Sequence, residues 1–325
     1  MNTQPGLVSV VIPAYNQEHF IAEAIRSVLD QSYSNLQIIV ADDHSSDNTL
    51  SIAQDLAKKD SRIECLSTNV NLGISKNFNR AFDACKGEYV AFLGGDDIML
   101  PGKIEKQVLF LQQNPDYVLV HHDADIFNSS TGETISRLSD AGKLPAQPLD
   151  WAMRIDWFIS QKFSGVLPSA CLARSEYYLA ARYDERLKYK HELLFTIEDY
   201  YANPNGKWHV IPEVLLKYRV HDNNFSMDTS NTVLINEETL LMCDFALDKC
   251  PGLATHIKAY RNYFIFQRIL FGWFDKQQVK KYKKEFRYSA GLVKYYYLIV
   301  ARFFLKVGLF WQFNKVAKII YRLLP

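Results

Sequence analysis

The sequence has little cysteine, no long uncharged apolar run and almost no net charge, and each shortage removes a class of protein. Its five cysteines (Cys65, Cys85, Cys171, Cys243 and Cys250) are odd in number, scattered, and include no Cys-x-x-Cys pair. That argues against a disulfide framework or a structural zinc site and points to a reducing compartment. No charge-free apolar stretch reaches the roughly 18 residues expected of a membrane-spanning helix. The apolar run 8–12 is too short for a secretory leader and lacks a basic flank, so the chain is expected to start in the cytoplasm and stay on that side. A Gly-x-Gly-x-x-Gly after the first strand, needed by a dinucleotide-dependent dehydrogenase, is also missing.

What remains is ordinary globular composition, 48% hydrophobic and 22% charged, over 325 residues. That length accommodates two domains, or one large α/β domain with an appendage. The net charge of +1 hides an asymmetry, because residues 258–325 carry fifteen Lys and Arg against only Asp275 and Glu285, a local balance of +13. The two parts of the chain therefore face different partners.

The stretch 87–101 organises the rest. Apolar residues from Tyr89 to Leu93 read as a short buried strand, followed at once by Gly94-Gly95-Asp96-Asp97 before Pro101 opens a helix. Two adjacent carboxylates repel, so solvent or a hard divalent cation must offset their charge. Upstream the same pattern repeats. Residues 7–12 form an apolar run ending in Pro13-Ala14-Tyr15-Asn16, and residues 36–41 form a second that ends in Asp42-Asp43-His44-Ser45-Ser46-Asp47. Residues 62–66 form a third, shorter run, and helical spacing follows each of the three, through Phe20, Ile21, Ala24, Ile25 and Val28, then Leu50, Ala53, Leu56 and Ala57, then Ile74, Phe78, Ala81, Phe82 and Cys85. Lys76 falls in the first turn of the third helix, where it either meets an anion or points to solvent. Strand and helix in strict alternation imply a parallel sheet, whose ligands bind beyond the carboxyl ends of the strands. The turns 13–16, 42–47 and 94–97 should meet there.

Taken in order, Val-Ser-Val-Val-Ile-Pro-Ala-Tyr-Asn, Ala-Asp-Asp-His-Ser-Ser-Asp-Asn-Thr, Asn-Leu-Gly-Ile-Ser-Lys-Asn and Phe-Leu-Gly-Gly-Asp-Asp-Ile-Met-Leu-Pro resemble family 2 glycosyltransferases. The resemblance is strong over 7–110 and weaker through Ser169, Glu198-Asp199 and Tyr218-Arg-Val-His to about residue 226. It implies an inverting enzyme with a GT-A fold, a Rossmann-like mostly parallel sheet flanked by helices, acting on a nucleotide sugar that we expect to be a UDP-sugar. Donor-binding residues would be Pro13, Tyr15, Asp43, Lys76, Asp96 and Asp97. Tyr15 would stack on the base, Asp43 would accept from its ring N–H, and Lys76 would lie near the base and diphosphate. Asp96, Asp97 and His221 would hold Mg²⁺ or Mn²⁺ against the diphosphate. Gly94 departs from the family, many of whose members carry an aspartate there that contacts ribose or metal.

The resemblance also assigns Asp199 as catalytic base, where an isolated Glu198-Asp199 pair would otherwise read as a helix start. Arg219 serves either the phosphates or a structural ion pair. His121-His122-Asp123-Ala124-Asp125 has the look of a metal cluster, but strand alternation separates the two histidines, favouring structural or acceptor-lining roles. Residues 128–160 lack periodicity and read as a loop over the acceptor. Domains are expected at 1–115 (nucleotide-sugar half), 116–228 (acceptor and catalytic half) and 229–325. The last is a helical, basic and aromatic appendage that would lie on the anionic inner face of the cell membrane, or else cap the catalytic domain. No nucleic-acid motif accompanies its charge. The function expected is transfer of a sugar to a glycan or lipid-linked oligosaccharide in cell-surface polysaccharide synthesis. A non-catalytic sugar-nucleotide- or membrane-binding protein is the alternative; a sugar nucleotidyltransferase would need a glycine-rich phosphate loop, which 13–16 is not.

Overall fold

The computed structural model describes residues 3–140, 167–180, 182–188, 194, 205–222, 224, 232–270 and 276–282. Glu198, Asp199, residues 141–166 and much of the basic C-terminal stretch lie outside them. The chain divides into two compact units, Met1–Asp228 and Thr229–Pro325.

The first unit opens with the expected alternation: β1 (Gln4–Ala14), α1 (Ile21–Leu29), β2 (Leu36–Asp42), α2 (Thr49–Ala57), β3 (Ile63–Leu66), α3 (Ile74–Asp83) and β4 (Gly87–Phe92). Every residue of β2 is buried, as are Val8 to Ile12 of β1. Burial on both sheet faces is why these strands read as continuous apolar runs rather than alternating ones. Ile21, Ala24, Ile25 and Val28 form one buried stripe of α1, at the spacing an amphipathic helix requires. Pairings β1–β2, β1–β4 and β2–β3 are all parallel.

Beyond β4 the chain forms β5 (Ile98–Met99), α4 (Lys103–Gln113), β6 (Tyr117–Asn128), β7 (Thr134–Arg137), β8 (Leu172–Arg174), α5 (Ser175–Ala180) and β9 (Lys207–Val220). One nine-stranded sheet results, in the order β3-β2-β1-β4-β8-β6-β9-β5, with β7 on the side of β6. β8 runs antiparallel to both β4 and β6, while β6 and β9 are parallel. The sheet therefore runs unbroken through both expected halves, 1–115 and 116–228.

One feature departs from the sequence reading: β6 extends to Asn128 and β7 returns along it, so the segment starting at 128, expected as a loop, opens as a hairpin. Its turn, Ser129-Ser130-Thr131-Gly132, has Gly132 at φ 74°, where a glycine is favoured. The His-His-Asp run is buried in β6, with His121 3%, His122 0% and Asp123 7% exposed. Asp123 accepts bonds from the Ala124 amide (2.8 Å) and the Ser139 hydroxyl (2.6 Å), tying the far end of the hairpin back to β6. Its role is structural.

The second unit contains α6 (Thr232–Lys249), α7 (Ala254–Leu270) and a helical stretch at 276–282. Leu240, Phe264, Ile265 and Tyr282 pack into a small core of their own. No helix among the described residues is long and apolar enough to cross a membrane.

Candidate active site

Parallel register brings three loops to one edge. Ala14 pairs with Asp42 and Val11 with Phe92, so β1, β2 and β4 deliver their carboxyl ends side by side. The loop after β1 is latched to the loop after β2. Asn16 Oδ1 accepts from the Ser46 amide at 2.8 Å, Thr49 Oγ1 from the Gln17 amide at 2.6 Å, and Asp47 Oδ2 from the Glu18 amide at 3.1 Å. Asn16 holds φ 52°, a left-handed conformation that asparagine tolerates better than most residues. These latches leave the Tyr15 ring 50% exposed at the rim, open to a planar ligand.

The two adjacent aspartates of the second loop are used differently. Asp42 closes a local turn, its carboxylate accepting from the Ser45 amide (3.0 Å) and hydroxyl (2.5 Å). Asp43 accepts from the Leu72 and Gly73 amides at 2.8 and 2.9 Å, which fixes the chain before α3. One bond to each oxygen leaves Asp43 further lone pairs for a ligand N–H. Lys76 stands exposed in the first turn of α3, downstream of those amides.

At the end of β4 a turn is closed by the Asp97 amide donating to the Gly94 carbonyl at 3.0 Å. Here too neighbours diverge. The Asp96 carboxylate faces His221, whose Nε2 lies 3.1 Å from Oδ2, with Asn224 Nδ2 3.4 Å from the same oxygen. Asp97 is buried to 2% exposure and bonded to protein, accepting from Ser169 Oγ (2.7 Å) and the Arg219 amide (3.1 Å). Burial, and then the Asp96 charge beside it, pushes the Asp97 carboxyl up to about 8, against the opposing pull of those bonds. The structure thus gathers Asp96 and His221 but sets Asp97 behind them as a brace. Among the described residues no cluster of three or more His, Cys, Asp or Glu side chains is arranged to hold a metal ion.

Arg219, near the end of β9, ties this arrangement together. Its Nε donates to the Asp96 carbonyl at 2.7 Å and its terminal nitrogens reach Glu23 of α1 and Ser129. The guanidinium carbon sits 4.9 Å from the centre of the Phe20 ring and 4.7 Å from that of Phe127, a cation sandwiched between two aromatic faces. Phe20 also lies against His221, ring centres 4.7 Å apart. Arg219 is thus committed to the scaffold, the structural alternative of the two left open by the sequence. Asn224 completes the knot, donating to the Arg219 carbonyl at 3.1 Å and accepting from the His221 amide.

Beneath the turn lies a second polar group. Lys103 Nζ, Gln107 Oε1, both ring nitrogens of His121 and Nε2 of His122 are buried without hydrogen-bond partners. Burial lowers Lys103 to about 7; burial, then the charge of Lys103, lowers His121 to about 3, and His122 also falls well below 6.5.

The sequence assigned no site role to Phe20, Glu23, Ser169 or Asn224. Ser169 and Asn224 stand within or beside quoted motifs, Asn224 three residues after His221, and that proximity was the available signal.

Residues 9–166 match glycosyl transferase family 2. An uncharacterised glycosyltransferase of Haemophilus influenzae is 31% identical over 230 residues, covering 68% of this chain and 67% of that protein. An Escherichia coli protein described as UDP-Glc:alpha-D-GlcNAc-diphosphoundecaprenol beta-1,3-glucosyltransferase WfgD is 37% identical over 131 residues, 40% of this chain and 51% of that one. Several such relatives are matched over only about half their length. Among solved structures, TarS 1–349 of S. aureus, in complex with UDP-GlcNAc, superposes with a TM-score of 0.63 at 18% identity, over 82% of this chain and 73% of that one. At that identity the likeness speaks for the fold, which is GT-A.

Proposed function

This chain belongs to glycosyl transferase family 2, and from that premise we propose that it moves a sugar from a UDP-sugar to a hydroxyl of a lipid-linked glycan during cell-surface polysaccharide synthesis. The observation that carries the reading is the convergence of Tyr15, Asp43 and the Asp96–His221 pair at one sheet edge. The UDP-sugar named for the TarS complex and the diphosphoundecaprenol acceptor named for WfgD support the choice of donor and acceptor class.

In this reading Tyr15 stacks on the base and Asp43 accepts its ring N–H. Asp96 and His221 fit Mg²⁺ or Mn²⁺, since such ions take one or two protein ligands and complete their shell with phosphate oxygens and water. When bound, the ion supplies positive charge that stabilises the departing diphosphate. The acceptor oxygen attacks the anomeric carbon as the bond from that carbon to the diphosphate breaks, with UDP carrying away the electron pair. The acceptor's proton passes to a carboxylate, the role proposed for Asp199. The basic, aromatic C-terminal stretch would hold the protein against the anionic inner face of the membrane, where a lipid-linked acceptor is presented.

The test is thermal stabilisation by UDP and UDP-sugars with and without Mn²⁺. Stabilisation by UDP that needs Mn²⁺ and vanishes in Asp96→Ala is expected. Equal stabilisation of variant and wild type would sink the reading.

A further inference from the structure

The resemblance implies an acid at position 94, where this chain has glycine, and the geometry gives that difference a purpose. A Cβ built on Gly94 would lie 2.7 Å from Asp96 Oδ1, 3.0 Å from Asp97 Oδ2 and 3.3 Å from Asp97 Cγ. Approaches under 3 Å force something to move. Asp97 is not free to do so, because Ser169 and the Arg219 amide hold both its oxygens. Gly94 itself is pinned, its amide donating to Ser169 Oγ at 3.0 Å and its carbonyl accepting from the Asp97 amide at 3.0 Å. The Asp96 carboxylate is the end of a rotatable side chain, so it is the group that would swing. Swinging takes Oδ2 off His221 and Asn224.

We propose that Gly94 is a positioning residue: the absence of its side chain lets the Asp96 carboxylate fold back over the turn onto His221, so that this chain presents one carboxylate and one imidazole to the cation and diphosphate. The proposal rests on the functional reading above and deepens it. It reverses the expectation drawn from the family. If Gly94 were merely a lost ligand, Gly94→Asp would restore an acid and strengthen binding. Under the present geometry the restored acid displaces the carboxylate already in use.

Gly95 stands apart from this argument, since a Cβ there would meet the Gln17 side chain at 2.1 Å and Ile21 at 3.2 Å, which are packing contacts of α1 and its preceding loop.

Two measurements test the proposal. The first is calorimetric titration of UDP, with and without Mn²⁺, into wild type, Gly94→Ala and Gly94→Asp, with melting temperatures recorded alongside. Both variants should melt with the wild type and bind UDP without Mn²⁺ as it does. Their Mn²⁺-dependent binding should weaken by about 10- to 100-fold, the usual effect of disturbing the groups that orient a metal ligand. Binding by Gly94→Asp as tight as wild type or tighter overturns the proposal. Loss of the fold in Gly94→Ala overturns it too, because that would place the conflict at Asp97. The second measurement is a crystal structure of Gly94→Ala, in which Asp96 should have left His221. An Asp96 still in hydrogen-bond contact with His221 refutes the placement. Should wild type bind no UDP in any condition, the functional reading fails on its own, and the crystal structure alone decides the role of Gly94.

Discussion

His121 offers a sharp test of how the sheet tolerates polarity beneath the active site. Its ring is 3% exposed, neither nitrogen has a partner, and burial followed by the neighbouring Lys103 charge lowers its ionisation to about 3. In the unfolded chain it titrates near 6.5. Between those values the unfolded state binds a proton that the folded state refuses, so this contribution to stability is whole above pH 6.5 and is lost as pH falls toward 3. At pH 5 the loss from His121 is about 2 kcal/mol, and His122 is lowered in the same direction. Asp97 acts with the opposite sign, since a carboxyl raised to about 8 favours the folded state at lower pH. The histidine's share is therefore read as a difference. Urea unfolding at pH 7.5 and 5.0, on wild type and His121→Phe, should show the variant losing about 2 kcal/mol less across the interval. Any packing cost of the larger ring is independent of pH and cancels. Identical pH dependence in the two proteins would mean that His121 is hydrated or charged in the fold, and the reasoning would be wrong.

Other outcomes follow from the same site. Asp199→Asn should retain UDP and Mn²⁺ binding and lower turnover by roughly 10²–10⁴-fold, with Glu198→Gln milder, as general-base catalysis requires; the reverse order, in assays with the cognate donor and acceptor, would show that the base is Glu198. Arg219→Lys keeps the charge but loses the planar fork and its aromatic stacking, so urea unfolding should find it less stable by about 1–3 kcal/mol; an unchanged midpoint would refute its place as the tie between α1, β9 and the Asp96 turn. Truncation at residue 257 should release the protein from anionic vesicles, and high salt should weaken the intact chain's binding; vesicle binding indifferent to truncation would refute the membrane role of the basic stretch.

The parallel half of the sheet was legible because physics imposes a plain signature there. Strands buried on both faces must be apolar throughout, as residues 8–12 and 36–41 are, and helices covering them must repeat at 3.6. β6 and β9 were harder to read because their side chains serve mixed surroundings. β6 carries His121, His122 and Asp123 into the interior, and β9 alternates buried Leu215, Leu216 and Arg219 with exposed Pro212 and Glu213. The motifs singled out Asp96 and His221, and the fold brings their side chains to within 3.1 Å. Ser169 and Asn224 act by satisfying hydrogen bonds across 72 and 128 residues of sequence, and no local spacing records such a pairing.

The same distinction accounts for the two aspartates of the β4 turn. A sequence presents Asp96 and Asp97 as equivalent, and two free carboxylates one residue apart would repel each other at the mouth of the site. The fold separates them by environment. Asp97, fully enclosed, is supplied with a hydroxyl and a backbone amide. Asp96 keeps partial exposure and meets the imidazole of His221. One carboxylate thereby becomes part of the scaffold and the other stays available to a ligand. The space above Gly94 is what allows the available one to reach its partner. Family position 94 should then covary in effect with the partner rather than act alone: Gly94→Asp combined with His221→Ala should bind Mn²⁺ and UDP no worse than His221→Ala does by itself, because the contact that the new side chain disrupts is already gone. A double variant markedly weaker than His221→Ala would show that Gly94 acts on something other than the Asp96–His221 pair.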